Sequence, residues 1–143
     1  MRSVIFVLFI FIFGCSPEAS IDSLPDGKVV VEKFIKGFQS NEYSSLDSLY
    51  ADEFWQSIPK DTWSKILPNM KAELGNIERC ELSQWNQSTA ASTNRSGNYV
   101  TLQYHCEHEK YDSTMVFVVF KPLSGGDSKI ITQNITSIGF LIE

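Results

Sequence analysis

At Gly75 the apolar residues of this chain change their spacing, and that change decides which layers it can build. Before it the period is helical. Val30, Val31, Phe34, Ile35 and Phe38 lie along one stripe of residues 28–40. Trp63, Ile66, Leu67, Met70 and Leu74 repeat the i, i+3, i+4, i+7 pattern within PKDTWSKILPNMKAELG. Pro59 opens that second long helix and Gly75 suits the position just past its end. Pro68 lies mid-pattern and removes a backbone donor, so a kink or a break is expected there. Between the two long helices, Leu46, Leu49 and Tyr50 mark a short segment over residues 45–50. Residues 52–57, with Phe54 and Trp55, read as a loop tucked against the core.

After Gly75 the residues alternate. Residues 77–85, 99–107, 113–121 and 129–142 read as strands, with turn-forming stretches such as PLSGGDS between them. TMVFVVF is apolar on both faces and belongs in the middle of a sheet. Helices first and a meander of strands afterwards predicts the α+β class, with the helices packed on one face of a curved four-stranded antiparallel sheet.

Residues 1–14 do not fit that body. Met1-Arg2-Ser3 is followed by an unbroken apolar run, residues 4–13. As a helix the run would be about 15 Å long, against roughly 30 Å for a bilayer core. Its length is that of a secretory signal segment, not of a membrane span. The run ends in Ile12-Phe13-Gly14-Cys15, which resembles the lipobox of bacterial lipoproteins: an aliphatic residue, then a small residue directly before a cysteine. The resemblance implies cleavage before Cys15 and attachment of lipid to its thiol, palmitate being a usual acyl group. It implies a mature chain held at the membrane by several acyl chains, since one alone binds only marginally. Phe13 stands where Ala, Ser or Thr is usual, and Ser16 is not the Asp that resembles an inner-membrane retention signal. The expected address is therefore the periplasmic face of the outer membrane. Residues 15–26, with SPEASIDSLPD, read as a tether, and residues 27–143 as one domain.

Removing residues 1–14 takes away Arg2, one of 12 basic residues, and none of the 17 acidic ones, leaving a formal charge of −6. Such a body repels phosphate backbones, and no Lys/Arg stripe reverses this, so nucleic acid is not an expected partner. With Cys15 lipidated, Cys80 and Cys106 remain as a pair, and an exported pair is expected to close as a disulfide. Antiparallel pairing of Cys80 with Cys106 would set Leu82 opposite Tyr104 and Gln84 opposite Leu102, with the apolar residues and cysteines on one face. The bridge would contribute about 3 kcal/mol. HCEHE offers a rival: Cys80, Cys106 and His108 could approach a zinc ion, though no fourth ligand is evident. Two free thiols are the remaining alternative.

PKDTWSKILPNMKAELGNIERCELSQWN and YVTLQYHCEHEKYDSTMVFVVFKP together resemble the nuclear transport factor 2-like, cystatin-like cone over roughly residues 28–138. They are closest to small exported domains of unknown function with a W…LG…R pattern, here Trp63, Leu74, Gly75 and Arg79. The aromatic-rich ending of that family's last strand is only partly kept in SKIITQNITSIGF. The resemblance implies a pocket between helices and sheet, for which Tyr104, Trp55, Trp63 and Phe117 are the candidate lining residues. Some cone proteins are isomerases or dehydratases, which need an acid or base in an apolar pocket. Tyr104 is the one candidate of that kind, and no carboxylate or histidine clearly shares its face. No G-x-S-x-G, H-E-x-x-H or phosphate loop occurs, and no motif calls for a cofactor or metal. The expected function is a lipid-anchored, non-catalytic binding module for an envelope protein or a small apolar ligand. The alternatives are a cone-type enzyme using Tyr104 and an accessory subunit of an envelope complex.

Overall fold

The switch from helix to strand falls at Gly75 in three dimensions as in sequence. The structure, a computed structural model, describes residues 25–91 and 95–141. The expected signal segment, Cys15 and most of the tether lie outside the described residues. Among the described residues four α-helices come first: α1 Pro25–Gln39, α2 Tyr43–Leu46, α3 Asp52–Ser57 and α4 Lys60–Leu74. Four strands follow: β1 Ile77–Ala91, β2 Ser96–His108, β3 Ser113–Pro122 and β4 Lys129–Thr136. They form one antiparallel sheet in the order β1-β2-β3-β4. The class is α+β, as the sequence predicts.

α1 takes in Pro25 and Asp26, because proline at the first helical position loses only a donor that has no intrahelical acceptor. Its stripe of Val31, Phe34 and Phe38 is fully buried, and α1 packs on β2, β3 and β4. Residues 52–57 are helical rather than a loop. Asp52 and Glu53 occupy the first turn, where the helix dipole favours negative charge, and the turn drives Phe54 into the core. The break expected at Pro68 does not occur, and α4 runs through it. The carbonyl left without a donor is that of Ser64, on the exposed side of the helix, where water can satisfy it.

Gly75 ends α4 at φ +84°, a left-handed conformation that a side chain resists. Its N–H donates to the carbonyl of Lys71, 2.8 Å away. Glu109 closes the corner by accepting from Asn76 N at 2.9 Å and from Asn76 Nδ2 at 3.0 Å. Lys71 ties α4 to α1: its ammonium donates to the carbonyls of Phe38 (3.2 Å) and Gln39 (2.8 Å) and to Asn41 Oδ1 (2.7 Å). A cation thus sits at the negative end of α1.

The register begins as expected, with Cys80 opposite Cys106 and Leu82 opposite Tyr104. It then departs. A bulge at Ser83 sets Gln84 opposite Gln103 and puts Trp85, not Gln84, opposite Leu102. The extra residue keeps the tryptophan on the half-buried face and turns Gln84 outward. The hairpin also runs further into the polar stretch than its composition suggests, with pairing continuing to Ala91 and Ser96. β3 lies inside the sheet, with Met115, Phe117 and Val119 buried on the helix side. β4 carries a second bulge, at Ile131, between Ile130 opposite Val119 and Thr132 opposite Val118. It ends at Thr136, short of the predicted residue 142, because Ser137 stops it. The Ser137 hydroxyl donates to the carbonyl of Asp112 (2.6 Å) and accepts from Gly139 N (3.2 Å), starting a 3₁₀ turn at Ile138–Phe140.

Candidate functional site

Cys80 and Cys106 form a disulfide with Cα atoms 4.1 Å apart, as the shared strand face predicts. That takes both thiolates out of the zinc alternative. His108 has partners of its own in the buried layer. Its Nδ1 lies 3.2 Å from the carbonyl of Gly75 and its Nε2 lies 2.8 Å from the Ser113 hydroxyl. A carbonyl only accepts, so Nδ1 carries the proton, and Ser113 donates to Nε2. Burial holds the His108 pKa below its ordinary value, offset in part by the Gly75 carbonyl and by Asp112. Among the described residues, no three His, Cys, Asp or Glu side chains are grouped to hold a metal ion.

The four candidate pocket residues do not line one space. Phe117 is completely buried and Tyr104 is 3% exposed, their rings edge-to-face at 6.1 Å. Phe34 packs on Phe117 at 5.3 Å, so side chains from α1 fill the interior between helices and sheet. The Tyr104 hydroxyl is buried without a hydrogen-bond partner. Its pKa is pushed up to about 12, chiefly by burial and secondarily by the charge of Glu32. A phenol so placed is neutral at physiological pH.

Trp63 and Trp55 belong to a second aromatic group, built on Tyr50. The Tyr50 ring centroid lies 4.2 Å from Phe54, 5.2 Å from Trp55 and 5.9 Å from Trp63. The backbone around Tyr50 bridges in parallel to Ile130, where Ala51 N donates to the Ile130 carbonyl at 2.9 Å. Trp55 faces a cleft of about 560 Å³ rimmed by charge, including Asp52, Glu53, Lys60 and Arg95, with the Lys60 ammonium 5.1 Å from its ring centroid. Trp63 opens instead onto a cleft of about 350 Å³ between α4 and β4.

The chemistry of the α4–β4 cleft is unlike that of the interior. Ile66, Met70, Ile135 and Phe140 line it together with the buried Trp63 and the part-buried Gln133, and the exposed Asn69, Glu73 and Asn134 complete the lining. The Tyr50 hydroxyl donates to Gln133 Oε1 at 2.5 Å and so fixes the orientation of that amide. Gln133 Nε2 is then buried with no acceptor from the protein. Trp63 is 5% exposed and its indole N–H likewise lacks an acceptor in hydrogen-bonding geometry. The N–H does lie beside the Tyr50 oxygen, where it opposes part of the large upward push that burial gives that phenol. Gln133 Nε2 therefore remains without a protein acceptor at this cleft, and the Trp63 N–H has only the Tyr50 oxygen beside it, an arrangement unusual in a folded chain.

Sequence reasoning finds Trp63 but assigns it to a different pocket, and it misses Gln133 and Tyr50. In the sequence Gln133 reads as one of the outward-facing polar residues of KIITQNIT. Strict alternation from Ile130 sends it outward, and only the bulge at Ile131 brings Gln133 and Ile135 to the helix side. The opposite face of the sheet carries Thr101, Gln103, His105, Thr132 and Asn134 beside Val116 and Val118. No described helix is long and apolar enough to cross a membrane.

Fold and cleft together define a small α+β domain with a side-chain-filled interior and a largely apolar side cleft between α4 and β4. The chain belongs to the family described as Protein of unknown function (DUF4019), whose model matches residues 35–131, about two thirds of its length. No curated protein and no solved structure matches it.

Proposed function

We propose that this chain is a lipid-anchored protein of the bacterial envelope. Its domain, of the nuclear transport factor 2-like kind, binds an apolar ligand or partner without performing chemistry. The observation that carries the reading is the Cys80–Cys106 bridge. It uses two of the chain's three cysteines, and the third, Cys15, directly follows the short apolar run of residues 4–13 and Gly14. Disulfides persist in oxidising compartments, and the periplasmic face of the outer membrane is where a lipobox with Ser16 after its cysteine would leave the domain. The helices-first order and the four-stranded meander support the cone assignment. The buried hydroxyl of Tyr104, unbonded and held neutral by burial, supports binding over catalysis.

In cells expressing the full chain, globomycin should cause the unprocessed form to accumulate. Radiolabelled palmitate should mark the wild type and not Cys15→Ser. Processing indifferent to globomycin, or label that survives the substitution, overturns the anchor.

A further inference from the structure

We infer that the α4–β4 cleft is a binding site for a neutral, mainly apolar molecule that carries a carbonyl acceptor, such as an acyl amide or acyl ester. The inference rests on the reading of the domain as a binding module and gives that module a place and a ligand chemistry. Three observations converge. The walls, Ile66, Met70, Ile135 and Phe140, are apolar, and Ile66 and Phe140 stay 38% and 41% exposed although each borders other apolar groups. The volume, about 350 Å³, lies within the range of small-molecule sites, roughly 300–1,000 Å³, near its lower end. The base holds two buried N–H groups, that of Gln133 with no protein acceptor and that of Trp63 with only the Tyr50 oxygen beside it and out of good hydrogen-bonding geometry.

The polar groups select the ligand. Trp63 has only a donor to offer, and Gln133 has its oxygen engaged by Tyr50, so what remains at the base is donors alone. A ligand must therefore bring an acceptor. Charge then separates the kinds of acceptor. The exposed amides of Asn69 and Asn134 and the carboxylate of Glu73 complete the lining, and among the described residues no Lys, Arg or His joins them, so a carboxylate or phosphate would meet one negative charge and no positive one. A carbonyl of an amide or ester accepts without that penalty, and its hydrocarbon portion covers the apolar walls.

The test uses the full chain in lipid nanodiscs, with indole and side-chain amide protons observed by nitrogen-15 NMR. Octanamide is the probe, octanoate its charged counterpart, and empty nanodiscs control for partitioning. Octanamide should move the Trp63 indole and Gln133 amide signals in a saturable way, and octanoate should bind at least about tenfold more weakly. Gln133→Met should weaken octanamide about fivefold to tenfold through loss of a donor. Ile66→Glu, at an exposed helix position, should abolish binding while leaving the fold intact by near-ultraviolet circular dichroism. Unmoved Trp63 and Gln133 signals at saturating octanamide overturn the site, as does equal affinity for octanoate or undiminished binding by Ile66→Glu. Saturable shifts confined to other residues overturn this cleft and still leave a binding domain. The anchor is judged separately by globomycin and palmitate.

Discussion

Tyr104 and His108 lie on the same face of β2 and show how differently a buried polar side chain can be accommodated. The Tyr104 hydroxyl is desolvated with nothing to bond, so its removal should cost little. Tyr104→Phe keeps the ring against Phe117 and is expected to leave stability unchanged or raise it by about 1 kcal/mol in urea unfolding. A loss above about 1 kcal/mol would mean that the hydroxyl has a role after all. His108 is the reverse case, with both ring nitrogens engaged and its neutral form favoured by burial. Above the ordinary imidazole value of 6.5 the folded and unfolded chains both hold it neutral, and its contribution is fully present. As the pH falls below that value the unfolded chain takes up the proton first, so stability declines until the folded pKa is passed. Unfolding free energy should therefore drop between pH 7 and pH 5. His108→Gln, which retains a donor and an acceptor, should flatten that segment of the profile. An unchanged slope in the variant would assign the effect to another group.

At the scale of the elements, period and punctuation made most of the fold readable. The stripes of α1 and α4 and the positive φ at Gly75 all stand in the sequence, as does the inward set Leu102, Tyr104 and Cys106. What stayed hidden has a common physical origin in single-residue insertions and local competition. A bulge moves every later side chain of a strand to the other face. Ser83 and Ile131 do this to Trp85 and Gln133, and nothing in their residue types announces it. Gly97 misleads in another way. A Cβ there would overlap the Phe120 ring and come within 2.5 Å of the carbonyl of Lys121, so a residue that looks like turn punctuation is a place where β2 and β3 approach tightly. The cleft was legible only in part for the same reason. Trp63 and Ile66 advertise themselves by helical spacing, whereas the Tyr50–Gln133 pair spans 83 positions and depends on a bulge.

Over the whole molecule, the disulfide joins the part of the sheet that the helices leave least supported. α1 packs on β2, β3 and β4, and α3 packs on β4, whereas β1 is an edge strand paired with β2 alone. Leu82 and Trp85 are only half-buried, so the apolar anchorage of β1 is modest. The bridge at Cys80–Cys106 closes a separation of 26 residues, which in the loop-entropy description stabilises by about 3 kcal/mol. That is a large share of the roughly 5–15 kcal/mol typical of a domain. Reduction, or the double change Cys80→Ala with Cys106→Ala, should lower unfolding free energy by about 3 kcal/mol in denaturant titrations. The loss should also be uneven in space. Amide exchange should accelerate first across β1, while amides of β3 and α4 remain protected until global unfolding. A uniform acceleration over the sheet would show that β1 is held by packing rather than by the bridge. A difference below about 1 kcal/mol between oxidised and reduced protein would take away the support that the bridge gives to the proposed oxidising address, because the domain would then stand equally well where thiols stay reduced.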